Sequence, residues 1–201
     1  MKKIFLIHGW DGSPEEPMHL WLQQKLTESG YEVIAPNMPK PWNPKVEAWT
    51  REIRSVVGAC LPTGMGADKE TYFIGHSMGC QAILRYLEAQ PTGVKVGGVF
   101  MIAPWMFLDD DAIAEEGKRA VAIQEEWEST CIEWEKVKNK ANKFVCQFSD
   151  DDPYVPMENE NIFSEELNAE IIVEDNKGHF TEEDEVTENQ TALNWFLKLK
   201  D

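Results

Sequence analysis

Nothing in the 201 residues approaches the run of about 20 apolar residues that a membrane-spanning helix needs. The opening Met1-Lys2-Lys3, followed by Ile4-Phe5-Leu6-Ile7, begins like a signal peptide. Its apolar run stops at His8-Gly9, too soon to form a cleavable hydrophobic region. Membrane insertion is therefore not expected, and a cytoplasmic location is. Cysteine is sparse: Cys60, Cys80, Cys131 and Cys146 are scattered and show neither CxxC nor metal-type spacing. That pattern excludes a disulfide framework and reads as four reduced thiols, with Cys80 and Cys146 buried in apolar runs. Basic residues are also few, 19 against 36 acidic ones, which leaves a formal charge of −17. Such a chain repels phosphate backbones and anionic lipid, so nucleic-acid and membrane-surface roles are disfavoured. The local runs Asp109-Asp110-Asp111 and Thr181-Glu182-Glu183-Asp184-Glu185 read as solvated acidic faces. Repeats and low-complexity linkers are missing as well, and the length suits one domain with a real core.

What is present is an alternation of short apolar runs with amphipathic stretches. Strands are expected over residues 3–8, 31–36, 71–75, 94–103, 144–148 and 170–174. Between them, helical spacing covers residues 17–29, closed by Gly30, and then 45–61, 78–89, 157–167 and 187–200. Strands that alternate with helices imply parallel βαβ units, hence an α/β sheet of about six strands with helices on both faces. One stretch breaks the rhythm, because about forty residues separate the fourth strand from the fifth. Residues 104–124 read as a small insertion over the C-terminal edge of the sheet, either a lid or an ordinary surface excursion. Ile123, Trp127, Cys131, Trp134 and Val137 then mark the stripe of a core-packing helix.

Chemistry concentrates at Gly75-His76-Ser77-Met78-Gly79, where an apolar strand turns directly into a helix. A serine hydroxyl is a weak nucleophile until a base takes its proton, so it must project where a base can reach. Glycines two positions before and after Ser77 relieve the crowding of so sharp a turn. The helix that starts at Met78 aims free N–H groups and its positive dipole end at the place where an oxyanion would form. Tight packing at a strand–helix corner would explain the glycines equally well, so the reading depends on partners.

In this arrangement the chain order runs serine, acid, histidine. Of His8, His19, His76 and His179, only His179 follows Ser77 in a separate element, in the loop Lys177-Gly178-His179-Phe180 after the sixth strand. His8 reads as structural, His76 as packed beside the turn, and His19 as lying on a helix surface. The acid should follow the fifth strand, in Ser149-Asp150-Asp151-Asp152-Pro153. Asp152 is chosen because Pro153 fixes the backbone just beyond it, with Asp151 the alternative. Asp150 is better read as capping the next helix. The three adjacent carboxylates point in different directions without ligand-loop spacing, so no metal is expected there. A second oxyanion donor should come from His8-Gly9-Trp10-Asp11-Gly12, so that the Trp10 and Met78 backbone N–H groups form the pair. Trp10, Trp105, Met106 and Phe107 are candidates for an apolar acyl pocket, or for the core.

Ile7-His8-Gly9-Trp10, Gly75–Ala82, Trp134-Glu135-Lys136-Val137, Ser149–Pro156 and Gly178-His179-Phe180 occur in an order that resembles the small serine hydrolases of the YdeN and retinoblastoma-binding protein nine type, within the α/β-hydrolase superfamily. The resemblance spans essentially the whole chain. It implies a compact, cofactor-free fold with a shortened sheet and a triad of Ser77, Asp152 and His179. It also implies hydrolysis of a carboxylic ester or related acyl bond in a small-molecule substrate. Amide, peptide and thioester cleavage use the same machinery. A non-catalytic interaction module on the same fold is the alternative of a different class, although no protein partner is indicated. The chain departs from the pattern in its long acidic insertion after Ala103 and in the acidic run that follows His179.

Overall fold

The computed structural model describes residues 1–61 and 66–199; Lys200, the end of the last expected helix, lies outside them. In chain order the elements are β1 (Lys3–Ile7), α1 (Pro17–Glu28), β2 (Glu32–Ile34), α2 (Val46–Cys60), β3 (Thr71–His76), α3 (Met78–Glu88), β4 (Gly98–Ile102), α4 (Asp110–Glu115), α5 (Lys118–Glu128), α6 (Trp134–Lys138), β5 (Phe144–Ser149), α7 (Asn159–Leu167), β6 (Glu170–Glu174) and α8 (Gln190–Lys198). Among the described residues, six strands form one sheet in the order β2-β1-β3-β4-β5-β6, with every pairing parallel. Strands β3, β4 and β5 are buried throughout, which is why their sequences read as unbroken apolar runs rather than alternating ones. Among the described residues, no helix is long and apolar enough to cross a membrane.

The chain runs outward from β1 to β2, then returns to the other side of β1 as β3. Right-handed crossovers set the helices of these two directions on opposite faces of the sheet. Accordingly α1 packs with α8, while α2, α3, α6 and α7 pack in series. The reversal lies between β1 and β3. It leaves a crevice where the loops after those strands, one bearing Gly9-Trp10 and the other Ser77, emerge side by side.

Three expectations about elements are corrected, one of them the fourth strand, which covers only Gly98–Ile102 of the expected residues 94–103. The stripe read as one helix through Ile123, Trp127, Cys131, Trp134 and Val137 is two helices, α5 and α6, with Cys131 exposed between them. The break has a cause in α3. The buried Arg85 guanidinium donates from Nη2 to the Trp127 and Thr130 carbonyls at 2.6 and 2.7 Å, capping the end of α5. The second strand is shorter than expected, three residues on the sheet edge. Tyr31 turns inward instead, and its hydroxyl donates to the Phe196 carbonyl at 2.7 Å.

Residues 104–124 hold a short helix, α4, and the start of α5. Trp105, Leu108, Ile113, Ala120 and Ile123 are all buried in the core. The acidic run here is not simply a solvated face. Asp109 Oδ1 accepts the Ala112 N–H as the N-cap of α4, and Asp110 Oδ1 accepts from Gln124.

Candidate active site

Ser77 sits between β3 and α3 at φ 50° and ψ −117°, a backbone conformation that only a constrained turn imposes on a residue with a side chain. Its N–H donates to the Ile102 carbonyl at the end of β4. The glycines around it serve close approach. A Cβ built on Gly79 would lie 2.7 Å from the His8 carbonyl oxygen and closer still to that of Ile7. The first turn of α3 therefore rests directly on the end of β1. A Cβ on Gly9 would lie 3.4 Å from the Ser77 Cβ, so the loop after β1 passes against the serine. Met78 opens α3, and its N–H has no acceptor one turn back within the helix. Neither that N–H nor the Trp10 N–H is taken by a backbone hydrogen bond among the described residues.

His179 lies on a loop with positive φ at Asn176, Gly178 and Phe180. Such a path needs many anchors, and the three adjacent aspartates supply them separately. Asp150 Oδ1 accepts the Asn176 N–H at 2.9 Å, so it holds this loop rather than capping a helix, a correction of the sequence reading. Asp151 Oδ1 accepts the Ser149 hydroxyl at 2.6 Å and the Gly178 N–H at 2.8 Å; these bonds hold its carboxyl below the usual aspartate range. Asp152 Oδ2 lies 2.8 Å from His179 Nδ1, while its Oδ1 accepts the Tyr154 and Val155 N–H groups. The side chains of Asp152 and His179 are 2% and 14% exposed.

The acidic run after the histidine, read as a solvated face, is also corrected at one residue. Asp184 Oδ2 accepts the His179 N–H, the Thr181 N–H and the Thr181 hydroxyl at 2.9, 3.0 and 2.7 Å. The Thr181-x-x-Asp184 spacing is the available sequence signal for that staple.

The two loops are joined by a residue that sequence reasoning gave no role beyond packing. His76 Nε2 donates to the His179 carbonyl at 2.8 Å, and the two rings lie 5.2 Å apart. His76 immediately precedes Ser77, so this bond fixes the histidine loop to the serine turn. Burial, then the nearby His179 and His19 rings, push the His76 pKa down to about 3, which keeps it neutral. His8 is fixed differently. Its Nε2 accepts the Met38 N–H and its Nδ1 donates to the Gly9 carbonyl, and burial again lowers its pKa. His19 is not on a helix surface: it is fully buried in the first turn of α1.

On the open side, Trp10, Met106 and Phe107 are partly exposed, whereas Trp105 is 1% exposed. Asn159, buried at the start of α7, holds the Met106 and Phe107 N–H groups on its Oδ1. The Tyr154 ring stands edge-on to His179 at 5.3 Å. Its hydroxyl donates to Glu116, and its carbonyl accepts the Asp109 N–H. The segment 104–124 is thereby tied to the histidine side of the crevice.

The profile of the family described as Serine hydrolase matches residues 4–195. The chain is 25% identical over 186 residues to YdeN of Bacillus subtilis, covering 92% of this chain and 90% of that protein. It is likewise 25% identical over 175 residues to serine hydrolase RBBP9 of Rattus norvegicus, covering 86% and 78%. The crystal structure of the B. subtilis ydeN gene product superposes with a TM-score of 0.85 over 98% of both chains, at 23% identity. Est1E from Butyrivibrio proteoclasticus with ferulic acid bound superposes at 0.72, over 98% of this chain and 89% of that one, at 17% identity. At these identities the solved structures speak for the fold, an α/β-hydrolase architecture.

Proposed function

The chain belongs to the serine hydrolase family, and from that premise we propose that it cleaves carboxylic esters or related acyl bonds by a covalent route through Ser77, His179 and Asp152. The observation that carries this reading is the nearly buried contact of Asp152 with His179 Nδ1, on a loop bonded to the residue before Ser77. A surface turn needs neither the Asp152–imidazole contact nor the His76 bond to the His179 carbonyl.

In this mechanism Asp152 holds the Nδ1–H tautomer, which leaves the Nε2 lone pair of His179 to take the Ser77 proton as the hydroxyl attacks the carbonyl carbon. The tetrahedral oxyanion is received by the Met78 and Trp10 N–H groups, pre-aligned by α3 and by the Gly9 turn. His179 then returns the proton to the departing alcohol, and water releases the acyl-enzyme by the same path in reverse. Trp10, Met106 and Phe107, backed by Trp105, form the apolar wall for the acyl group, and residues 104–124 serve as its roof. The substrate is a small acyl compound rather than a nucleic acid, and the four unpaired cysteines fit reduced thiols in a cytoplasmic setting.

Fluorophosphonate labelling tests the nucleophile: the wild type should label and Ser77→Ala should not. Labelling of Ser77→Ala at the wild-type rate would remove Ser77 from the mechanism. Turnover of short and medium p-nitrophenyl esters and of an aromatic acyl ester then sorts the acyl preference.

A further inference from the structure

The mechanism leaves one buried cluster unused. Glu16 is the N-cap residue of α1, His19 lies in the first turn of that helix, and His76 ends β3. One ring nitrogen of each imidazole and one carboxylate oxygen of Glu16 lie within 4.8 Å of one another. The tautomers follow from the partners. His76 Nε2 faces the His179 carbonyl, which can only accept, so Nε2 carries the proton and Nδ1 keeps a lone pair. His19 Nδ1 lies 3.0 Å from the Ser13 carbonyl and 3.1 Å from Glu16 Oε2, both acceptors, so in the neutral ring Nε2 keeps the lone pair.

Both remaining nitrogens, His19 Nε2 and His76 Nδ1, are buried without a partner. His19 is 0% and His76 4% exposed, and the two rings are 5.6 Å apart. His76 Nδ1 is aimed toward the loop that leads into α1, since a Cβ built on Gly9 would lie 3.3 Å from it. Two bare lone pairs in a dry place cost free energy unless something accepts them. Each ring is also held by a backbone carbonyl through its other nitrogen, the arrangement that orients metal-binding histidines.

We propose that Glu16, His19 and His76 bind one divalent cation of the zinc class beneath the Ser77 turn. Two imidazole nitrogens and one carboxylate oxygen suit zinc and similar borderline ions; calcium and magnesium take oxygen sets. Ligands at about 2.0–2.1 Å from a tetrahedral ion stand roughly 3.3 Å apart, so the three side chains must close inward on binding. The Glu16 carboxylate, now beside His19 Nδ1, must swing to the Nε2 side of that ring. Glu16, the most exposed of the three, is the entry side. A fourth coordination position remains for water. The bound ion links the start of α1 to the residue before Ser77 and so stiffens the crevice floor.

The test is a titration of the metal-free, full-length protein with Zn²⁺ against a chromophoric chelator, with thermal unfolding measured in parallel. One equivalent should bind, the melting temperature should rise with Zn²⁺, and millimolar Mg²⁺ should not compete. His19→Gln should lose the equivalent and the thermal shift. Glu16→Gln, whose side chain is partly exposed, should weaken binding about tenfold or more and serves if His19→Gln fails to fold by circular dichroism. His179→Ala and Cys131→Ser should retain the ion, which separates this site from the Asp152–His179 pair and from an exposed thiol. Absence of any bound equivalent, undiminished binding in both Glu16→Gln and His19→Gln, or loss on His179→Ala overturns the proposal.

Discussion

Asp150, Asp151 and Asp152 are consecutive, yet each anchors a different point: the Asn176 N–H, the Gly178 N–H and the His179 imidazole. Their roles are therefore separable. Asp152→Asn should keep the fold and lower kcat/KM by about 10³- to 10⁴-fold, because an amide cannot stabilise the imidazolium and can present the wrong group to Nδ1. Ester hydrolysis under pseudo-first-order conditions measures it; a loss below tenfold would leave Asp152 a structural role only. Asp151→Asn should affect stability in a pH-dependent way. The folded state lowers the Asp151 pKa, so its carboxylate contributes stability above the unfolded value of about 3.9, and that contribution fades as pH falls through the folded value. The gap between wild type and Asp151→Asn in urea unfolding should therefore narrow from about pH 7 to about pH 3. The sequence pointed to this loop because acids beside a proline are conspicuous. It could not assign Asp150, because the position of an N–H group on a loop 26 residues away is set by tertiary structure alone. His19 was misplaced for a related reason: a polar residue in a first turn looks solvated until β3 is seen beneath it.

At the scale of elements, two glycines make opposite predictions. Gly79 in α3 has backbone carbonyls where a Cβ would go, and Gly79→Ala should cost about 3 kcal/mol or prevent folding. Gly58, exposed near the end of α2, has nothing within 4 Å of a built Cβ, and Gly58→Ala should stabilise by about 0.5–1 kcal/mol. Urea midpoints of the two variants check both signs. Strands were readable because β3, β4 and β5 are buried on both faces, and their order along the chain implied the parallel sheet. The broken α5–α6 stripe was not readable. A periodic pattern records which residues face the core, and the pattern continues across the break. What stops the helix is the Arg85 guanidinium on α3, stacked 5.3 Å from the Trp127 ring and bonded to two carbonyls. Burial lowers the Arg85 pKa only to about 10, so it remains a cation. Arg85→Met should cost about 2 kcal/mol by stranding the Trp127 and Thr130 carbonyls. A neutral result in chemical denaturation would mean that α5 ends for intrinsic reasons.

For the whole molecule, the strand reversal and the charge balance act together. The reversal between β1 and β3 brings the Gly9 and Ser77 loops to one crevice, and β5 and β6 deliver the aspartates and His179 along the same edge. That edge is also where much of the acidic surplus gathers, at Asp109–Asp111, Asp150–Asp152 and Glu182–Glu185. Several of these carboxylates are bonded to backbone N–H groups, which offsets local repulsion, but N–H groups do not cancel a net charge of −17. Among the described residues only six Lys or Arg side chains pair with carboxylates, most of them at the surface where such pairs contribute little. Self-repulsion of the folded state should therefore be measurable. Raising NaCl from about 20 mM to about 500 mM at neutral pH shortens the Debye length from about 20 Å to about 4 Å. The melting temperature should rise by about 2–4 °C, the shift that roughly 1 kcal/mol produces in a chain of this size. A flat or falling melting temperature would show that the bonded carboxylates, rather than the surplus charge, govern the electrostatics of this fold.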